Sequence, residues 1–385
     1  MPQEDSRPPT PVRILIDYRP ALTTRSGVGE YVHELARALA AGQPGSGAGD
    51  DITLFSSSWK DRVDTAGLTG LAVIDRRVPV RVLNFAWHRL EWPPIEVLAG
   101  RAFDVVHSLH PLLMPAKRAA QVVTVHDLDF LSHPERTRAE IRRDYPALAA
   151  GHVRRADHVL VNSRFTAAEV ERTFGVPAGR VTVCSPGAPP WPPRPADVKG
   201  EYVLFLGTLE PRKNVGALLD AYAALINRRP GLPELVLAGQ TTRVAEAWLA
   251  RLSQAPLAGR VRAIGYVAPA DRRAIFQKAA LLVIPSFHEG FGITALEAMT
   301  TGVPVVAADR GALPEVLGDA GLLVQPSADA LADAMERVLT SPGHARWMVE
   351  RGIERARLFS WRSAADAARD AYARAIERRR ARAHA

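Results

Sequence analysis

Short apolar runs separated by stretches with helical spacing recur along the whole chain. Val12-Arg13-Ile14-Leu15-Ile16-Asp17 predicts a strand, and Val28, Tyr31, Val32, Leu35 and Leu39 recur at helical intervals over 28–41. Strand and helix patterns continue at 52–55, 71–74 and 103–107, with strand-like runs at 121–125 and 157–161. Asn162-Ser163-Arg164-Phe165-Thr166 then predicts a cap opening a helix. Residues 186–200 hold six prolines and break the alternation with a stiff, extended connection. The rhythm restarts with strand-like runs at 202–206, 235–239, 261–265, 280–284, 303–306 and 322–324, and helices fill the remainder. Strands alternating with helices twice over, split by the prolines, predict an α/β chain of two Rossmann-like domains facing a cleft, residues 11–190 and 200–358.

One stretch carries the most chemistry: Pro285-Ser286-Phe287-His288-Glu289-Gly290-Phe291-Gly292-Ile293-Thr294-Ala295-Leu296-Glu297-Ala298. It follows a run read as a buried parallel strand, and 293–301 reads as a helix stopped by Gly302 and Pro304. The loop between delivers backbone N–H groups and a partly positive helix end to one point at the carboxyl edge of a sheet, which suits a phosphate. A carboxylate beside a phosphate is repelled unless it faces neutral hydroxyls. Glu289 and Glu297 therefore point to a ligand laid out as sugar, diphosphate and ribose; the plainer reading is a helix cap and a solvated face. Gly207-Thr208 followed by Arg212-Lys213 predicts a second anion-binding corner, or else a surface charge pair. Gly27 and Gly29 sit on a helix start in the loop Thr23-Thr24-Arg25-Ser26-Gly27-Val28-Gly29. A dinucleotide fingerprint would need glycine where Val32 stands, which leaves a phosphate-facing glycine loop or a tight turn. His126 ends the strand at 121–125, at the edge where such sheets open their crevices, and His110 and His133 flank the same region; a histidine tying a loop to the backbone is the competing reading for His126.

The words SFHEGFGITALEAMTTGVPVV and GALPEV resemble the donor-site signature of retaining glycosyltransferases of family 4, which have the GT-B fold. The resemblance implies that the second domain grips a nucleotide sugar and the first presents a glycan or lipid-linked acceptor. It assigns Glu289 to sugar hydroxyls, Glu297 to the ribose, and Gly290, Phe291, Gly292, Ile293 and Thr294 to the donor. Gly27, Gly29 and Gly207 would approach the diphosphate, His126 the reacting carbon, and the Tyr266-Val267 turn the base. Thr208 stands where many members carry arginine, so Arg212 and Lys213 must supply the positive charge. The last helix, 362–383, would cross back to the first domain, its basic tail solvated. Retained configuration, by attack from the leaving-group side through an oxocarbenium-like state, is the implied chemistry, with no metal or other cofactor expected. His126-Asp127-Leu128 and Glu210-Pro211-Arg212-Lys213-Asn214 resemble a subgroup often assigned as mannosyltransferases, which makes GDP-mannose the first donor and leaves UDP-sugars open. The rival readings are a nucleotide-sugar epimerase or hydrolase of the same architecture, and a basic binding protein without catalysis.

Composition adjusts this picture modestly. The 385 residues are 47% hydrophobic and 23% charged, as in soluble globular proteins, with a net charge of +8 and a pI near 10.0. An anionic donor, an anionic membrane or nucleic acid would each answer that charge, but the paired glutamates argue against a specific nucleic-acid partner. The lone Cys184 excludes an internal disulfide and reads as a small buried residue. The start has no secretion signal and no run approaches a membrane span, so a cytoplasmic protein is expected, or one peripheral at the inner face of the membrane. Tryptophan and arginine share one amphipathic segment, 76–92, with Trp87 and Arg89; it suits a lipid headgroup boundary or the acceptor side, and equally an ordinary core helix. Arg136, Arg138, Arg142, Arg143, Arg154 and Arg155 form a basic run that is a solvated helix face or a hold for an acceptor phosphate.

Overall fold

A computed structural model describes residues 11–22, 25, 27–42, 50–65, 67–134, 139–195 and 198–384. Strands β1 (Arg13–Asp17), β2 (Asp51–Ser57), β3 (Ala72–Arg76), β4 (Val105–Ser108), β5 (Ala120–Val125), β6 (His158–Val161) and β7 (Val181–Val183) form one parallel sheet in the order β3-β2-β1-β4-β5-β6-β7. Strands β8 (Tyr202–Leu206), β9 (Glu234–Ala238), β10 (Val261–Gly265), β11 (Ala279–Ile284), β12 (Val305–Ala308) and β13 (Leu322–Val324) form a second, in the order β10-β9-β8-β11-β12-β13. Each order reverses beside its first strand, between β1 and β4 and between β8 and β11. Loops diverge at those two places, and in open α/β sheets ligands bind there.

The apolar runs become strands because both sheet faces are covered. In β11, Leu281 and Val283 pack with the helix Val215–Arg228, while Leu282 and Ile284 pack with the helix Ile293–Thr301. Leu281, Leu282 and Val283 are 0–1% exposed, and each such side chain contributes about 1.5–3 kcal/mol. The prolines at 186–195 run along the second domain, with Arg194 N donating to Thr301 O at 3.1 Å and Ala188 N to Phe359 O at 3.0 Å.

The helix Trp361–His384 does cross back. Its small face, Ala364, Ala365, Ala368, Ala371 and Ala375, is buried in the first domain's core against the helix Gly27–Ala40. Tyr372 OH meets His107 Nδ1 at 2.9 Å. The basic tail is not simply solvated: Arg382 Nη1 pairs with Asp157 Oδ1 at 3.0 Å and Arg379 Nη2 donates to Lys117 O at 3.1 Å. Cys184 is wholly buried, and burial pushes its thiol up to about 12. Segment 76–92 contains the helix Val80–Leu90, whose Trp87 is 0% exposed. Its Nε1 donates to Pro93 O at 3.0 Å and the Arg19 guanidinium lies 4.8 Å over its ring, so Trp87 is a core residue and not a lipid contact. Val82, Phe85, Leu90 and Trp92 are the exposed apolar residues of that segment. No described helix is long and apolar enough to cross a membrane. Thr23, Thr24, Ser26, Arg136 and Arg138 lie outside the described residues.

Candidate functional site in the interdomain cleft

The loops after β8 and β11 meet those after β1, β4 and β5 around a cavity of about 560 Å³. It falls within the range of small-ligand sites, and it is lined by Gly27, His126, Gly207, Thr208, Arg212, Lys213, Tyr266, Val267 and all of residues 289–294. Two of the residues expected there stand elsewhere. Gly29 does not line the cavity and faces its own domain: a Cβ there would lie 2.9 Å from Pro20 O, so it permits a close turn. Glu297 lies just behind the wall, 4% exposed, hydrogen-bonded to Arg272. Burial raises the Glu297 carboxyl against the lowering by Arg272, and it is Arg272 that lines the cavity.

Charge in the second domain converges on Glu289. Its Oε1 accepts from Lys213 Nζ at 2.6 Å and from Ser286 Oγ at 2.7 Å, and its Oε2 lies 3.6 Å from Arg212 Nη1. Burial alone would raise this carboxyl, but Lys213 and Arg212 override it and hold it at about 2. Arg212 also donates from Nε to Glu210 Oε1 at 3.0 Å and from Nη1 to His288 O at 3.2 Å. Burial would lower its pKa; Asp127, Glu289 and Glu210 more than reverse that. Beside this cluster the helix Ile293–Thr301 begins at Gly292, which has φ 103° and offers no side-chain cap. Ala295 N donates to Gly292 O at 3.0 Å, which leaves the amides of Ile293 and Thr294, both lining the cavity, for a ligand.

The first domain supplies a fixed counter-wall. His126 Nδ1 accepts from Asn162 Nδ2 at 2.9 Å and its Nε2 donates to Leu109 O at 3.1 Å. Burial lowers its pKa, so a neutral imidazole with both nitrogens committed borders the cleft. Such a ring positions and does not shuttle protons. Asn162 Oδ1 is buried without a partner among the described residues, and Asn162 lines the cavity. Farther along, His110 stacks on Tyr145 at 6.2 Å and is oriented from below: Leu112 N donates to Nδ1 at 3.2 Å, and Nε2 meets Asp17 Oδ2 at 3.2 Å. Asp17 is wholly buried, and Arg19 at 2.7 Å keeps it ionised against that burial.

The two walls are clasped directly. Gly290 packs so closely that a Cβ there would lie 1.9 Å from His126 O. Its carbonyl accepts from Ser163 Oγ at 2.8 Å and Thr166 Oγ1 at 3.3 Å. Ser163 caps the helix Arg164–Phe174, and the first two amides of that helix, Arg164 N and Phe165 N, donate to Glu315 Oε1 and Oε2 at 3.0 and 3.2 Å across the domain boundary. His288 Nε2 meets Glu169 Oε2 at 3.2 Å, and Tyr266 OH donates to Arg25 O at 3.4 Å.

Sequence reasoning missed Arg272, Asp127, Asn162 and Glu315. Arg272 carried a signal, since it shares the buried helical face of Phe276. Glu315 stands in the stretch Gly311-Ala312-Leu313-Pro314-Glu315-Val316, but its reach into the other domain is a tertiary fact. Among the described residues no group of three or more His, Cys, Asp or Glu is placed to hold a metal ion.

Comparison with known proteins bears on the same features. The family model described as Glycosyltransferase Family 4 matches residues 25–190, and the one described as Glycosyl transferases group 1 matches residues 200–341. The chain is 29% identical over 384 residues to O-antigen chain mannosyltransferase B of Escherichia coli, covering 94% of this chain and 99% of that one. It is 30% identical over 298 residues to D-inositol 3-phosphate glycosyltransferase 2 of Catenulispora acidiphila, covering 72% of this chain and 66% of that protein. Among solved structures, sucrose-phosphate synthase from Thermosynechococcus elongatus superposes with a TM-score of 0.74 at 23% identity, over 94% of this chain and 98% of that one, which establishes the fold. The chain is a glycosyltransferase of family 4, built on the GT-B architecture.

Proposed function

We propose that this glycosyltransferase moves a hexose from a nucleoside diphosphate sugar to a hydroxyl of a glycan or lipid-linked acceptor, with mannose from GDP-mannose as the first donor. The observation that supports it best is the Arg212–Lys213–Glu289 cluster beside the uncapped helix Ile293–Thr301, at the reversal of the second sheet. An arriving diphosphate takes the N–H groups of the helix start and the two cations, releasing Glu289 oxygens toward sugar hydroxyls. Arg272 and Glu297 lie on the side of Tyr266 and Val267, where ribose and base would sit. The long relative named as a mannosyltransferase favours mannose. UDP-sugars are the alternative donors.

The reaction we infer keeps configuration. His126 has no free nitrogen, and Glu289 is neutralised by cations, so neither serves as nucleophile or base in this arrangement. The C–O bond to the diphosphate breaks first, Arg212 and Lys213 stabilise the departing charge, and the acceptor oxygen adds from the same side. Its proton passes to a phosphate oxygen of the leaving group. Asp127 and Asn162, on the first-domain wall, would orient the acceptor hydroxyl.

The test is a transfer assay with purified chain, GDP-mannose, UDP-glucose and a panel of glycan acceptors, with the anomeric configuration read by NMR. A retained mannoside formed only with acceptor present is expected. Sugar release at the same rate without acceptor would make the chain a hydrolase, and an inverted product would refute the same-side mechanism.

A further inference from the structure

A second concavity, of about 430 Å³, shares none of the residues lining the cleft. It lies between the end of the helix Val80–Leu90, the end of the helix Ala139–Arg155 and the tail of the helix Trp361–His384. Its polar lining includes four guanidinium groups, Arg154, Arg155, Arg379 and Arg382, against one carboxylate, Glu91.

The pairing of those charges is uneven. Arg155 Nη2 binds Glu91 Oε1 at 2.6 Å, and Arg382 Nη1 binds the nearly buried Asp157 at 3.0 Å from behind the wall. Arg154 and Arg379 reach only backbone carbonyls among the described residues, those of Phe174 at 2.8 Å and Lys117 at 3.1 Å. Those bonds leave their other N–H groups and their charge uncompensated. Neutral His152 adds a further donor: its Nδ1 accepts from Leu113 N at 3.0 Å, so its proton is on Nε2. Like charges converging on one concavity repel, and a multiply charged anion relieves that repulsion while filling several forks at once. The tail that supplies two of the arginines is the segment that sequence alone leaves solvated, and here its arginines are held by Asp157 and the carbonyl of Lys117.

We propose that this cavity is a binding site for a phosphate group carrying two or more charges, as a free diphosphate or on a lipid headgroup, separate from the donor cleft. It stands whether or not the proposed transfer reaction is correct.

The experiment compares the full chain with Arg154→Gln/Arg379→Gln and with a charge-matched control, Arg228→Gln/Arg229→Gln, on the second domain. Inorganic pyrophosphate binding is measured by calorimetry, and association with vesicles of equal parts phosphatidic acid, whose phosphomonoester can carry two charges, and phosphatidylcholine by sedimentation. The donor cleft is common to all three chains, so differences between them read this cavity. A loss of about tenfold or more in either binding for the first double variant, with the control unchanged, is expected. Loss with pyrophosphate alone identifies a free phosphate, and loss with vesicles identifies a headgroup. Equal binding by all three chains, or an equal loss in the control, overturns the proposal. Unchanged thermal melting of the variants shows that a lost signal is not misfolding.

Discussion

Replacing Glu315 by alanine tests whether the clasp between the domains assembles the site. Its carboxylate receives two backbone N–H groups of the opposite domain at 3.0 and 3.2 Å, at the positive end of a helix. Hydrogen bonds to a charged group contribute about 1.5–3 kcal/mol each, but these amides are partly exposed and water replaces the carboxylate when the domains part. We therefore expect a net weakening of the closed state by about 1–3 kcal/mol, or about five- to a hundredfold in the ratio of closed to open forms. The local fold should survive, because the Glu315 backbone carbonyl, which holds Arg355 Nη2 at 2.6 Å, is untouched. If transfer takes place in the closed form, with His126 against the Gly290 loop as proposed, kcat should fall by up to that factor. Nucleotide affinity, assigned to the second domain in the proposed function, should change little. Steady-state kinetics with small-angle scattering checks this, and Glu315→Gln, which can still accept one bond, should fall between. Unchanged kcat with an unchanged radius of gyration would refute the reasoning.

Three more outcomes follow from the same geometry. Gly290→Ala places a Cβ 1.9 Å from His126 O, a clash that opening relieves, so kcat should fall more than about tenfold while the melting temperature moves little. Glu289, held at about 2 against an ordinary 4.5, stabilises the fold above pH 4.5, and that contribution is lost as pH falls from about 4.5 to about 2. Glu289→Gln should therefore flatten the acid-unfolding curve in that window and cost about ten- to a hundredfold in turnover at neutral pH, measured by circular dichroism and the transfer assay. Addition of EDTA should leave the transfer rate unchanged, and a loss restored by a divalent ion would revise the mechanism.

Much of this architecture is readable from the chain, because a strand covered on both faces must be apolar throughout. The runs at 202–206 and 280–284 became β8 and β11, and the glycine-rich loop after β11 became the cleft wall. Proline density likewise marked the connection between domains, and the family resemblance placed the last helix. What escaped depends on tertiary contacts. The segment around Trp87 suited a membrane edge and a core helix equally, and its burial under the Arg19 guanidinium, 68 residues earlier, decides for the core. Glu297 looked ready for a ligand because its partner Arg272 stands 25 residues earlier on another helix. Gly29 looked like part of a phosphate loop, but the carbonyl of Pro20 beside it takes the space that its missing side chain leaves.

The return of the last helix gives the second domain two covalent tethers, one through the prolines and one through Phe359 to Trp361. They are tied to each other where Ala188 N meets Phe359 O at 3.0 Å. A body hung from two cords joined near their ends swings about one axis and resists twisting about the others. Any opening of the cleft would thereby be channelled into a single swing, whose return brings Gly290 back to the same carbonyl of His126. A proteolytic nick in either cord would free the twist and cost that alignment while leaving both cores intact.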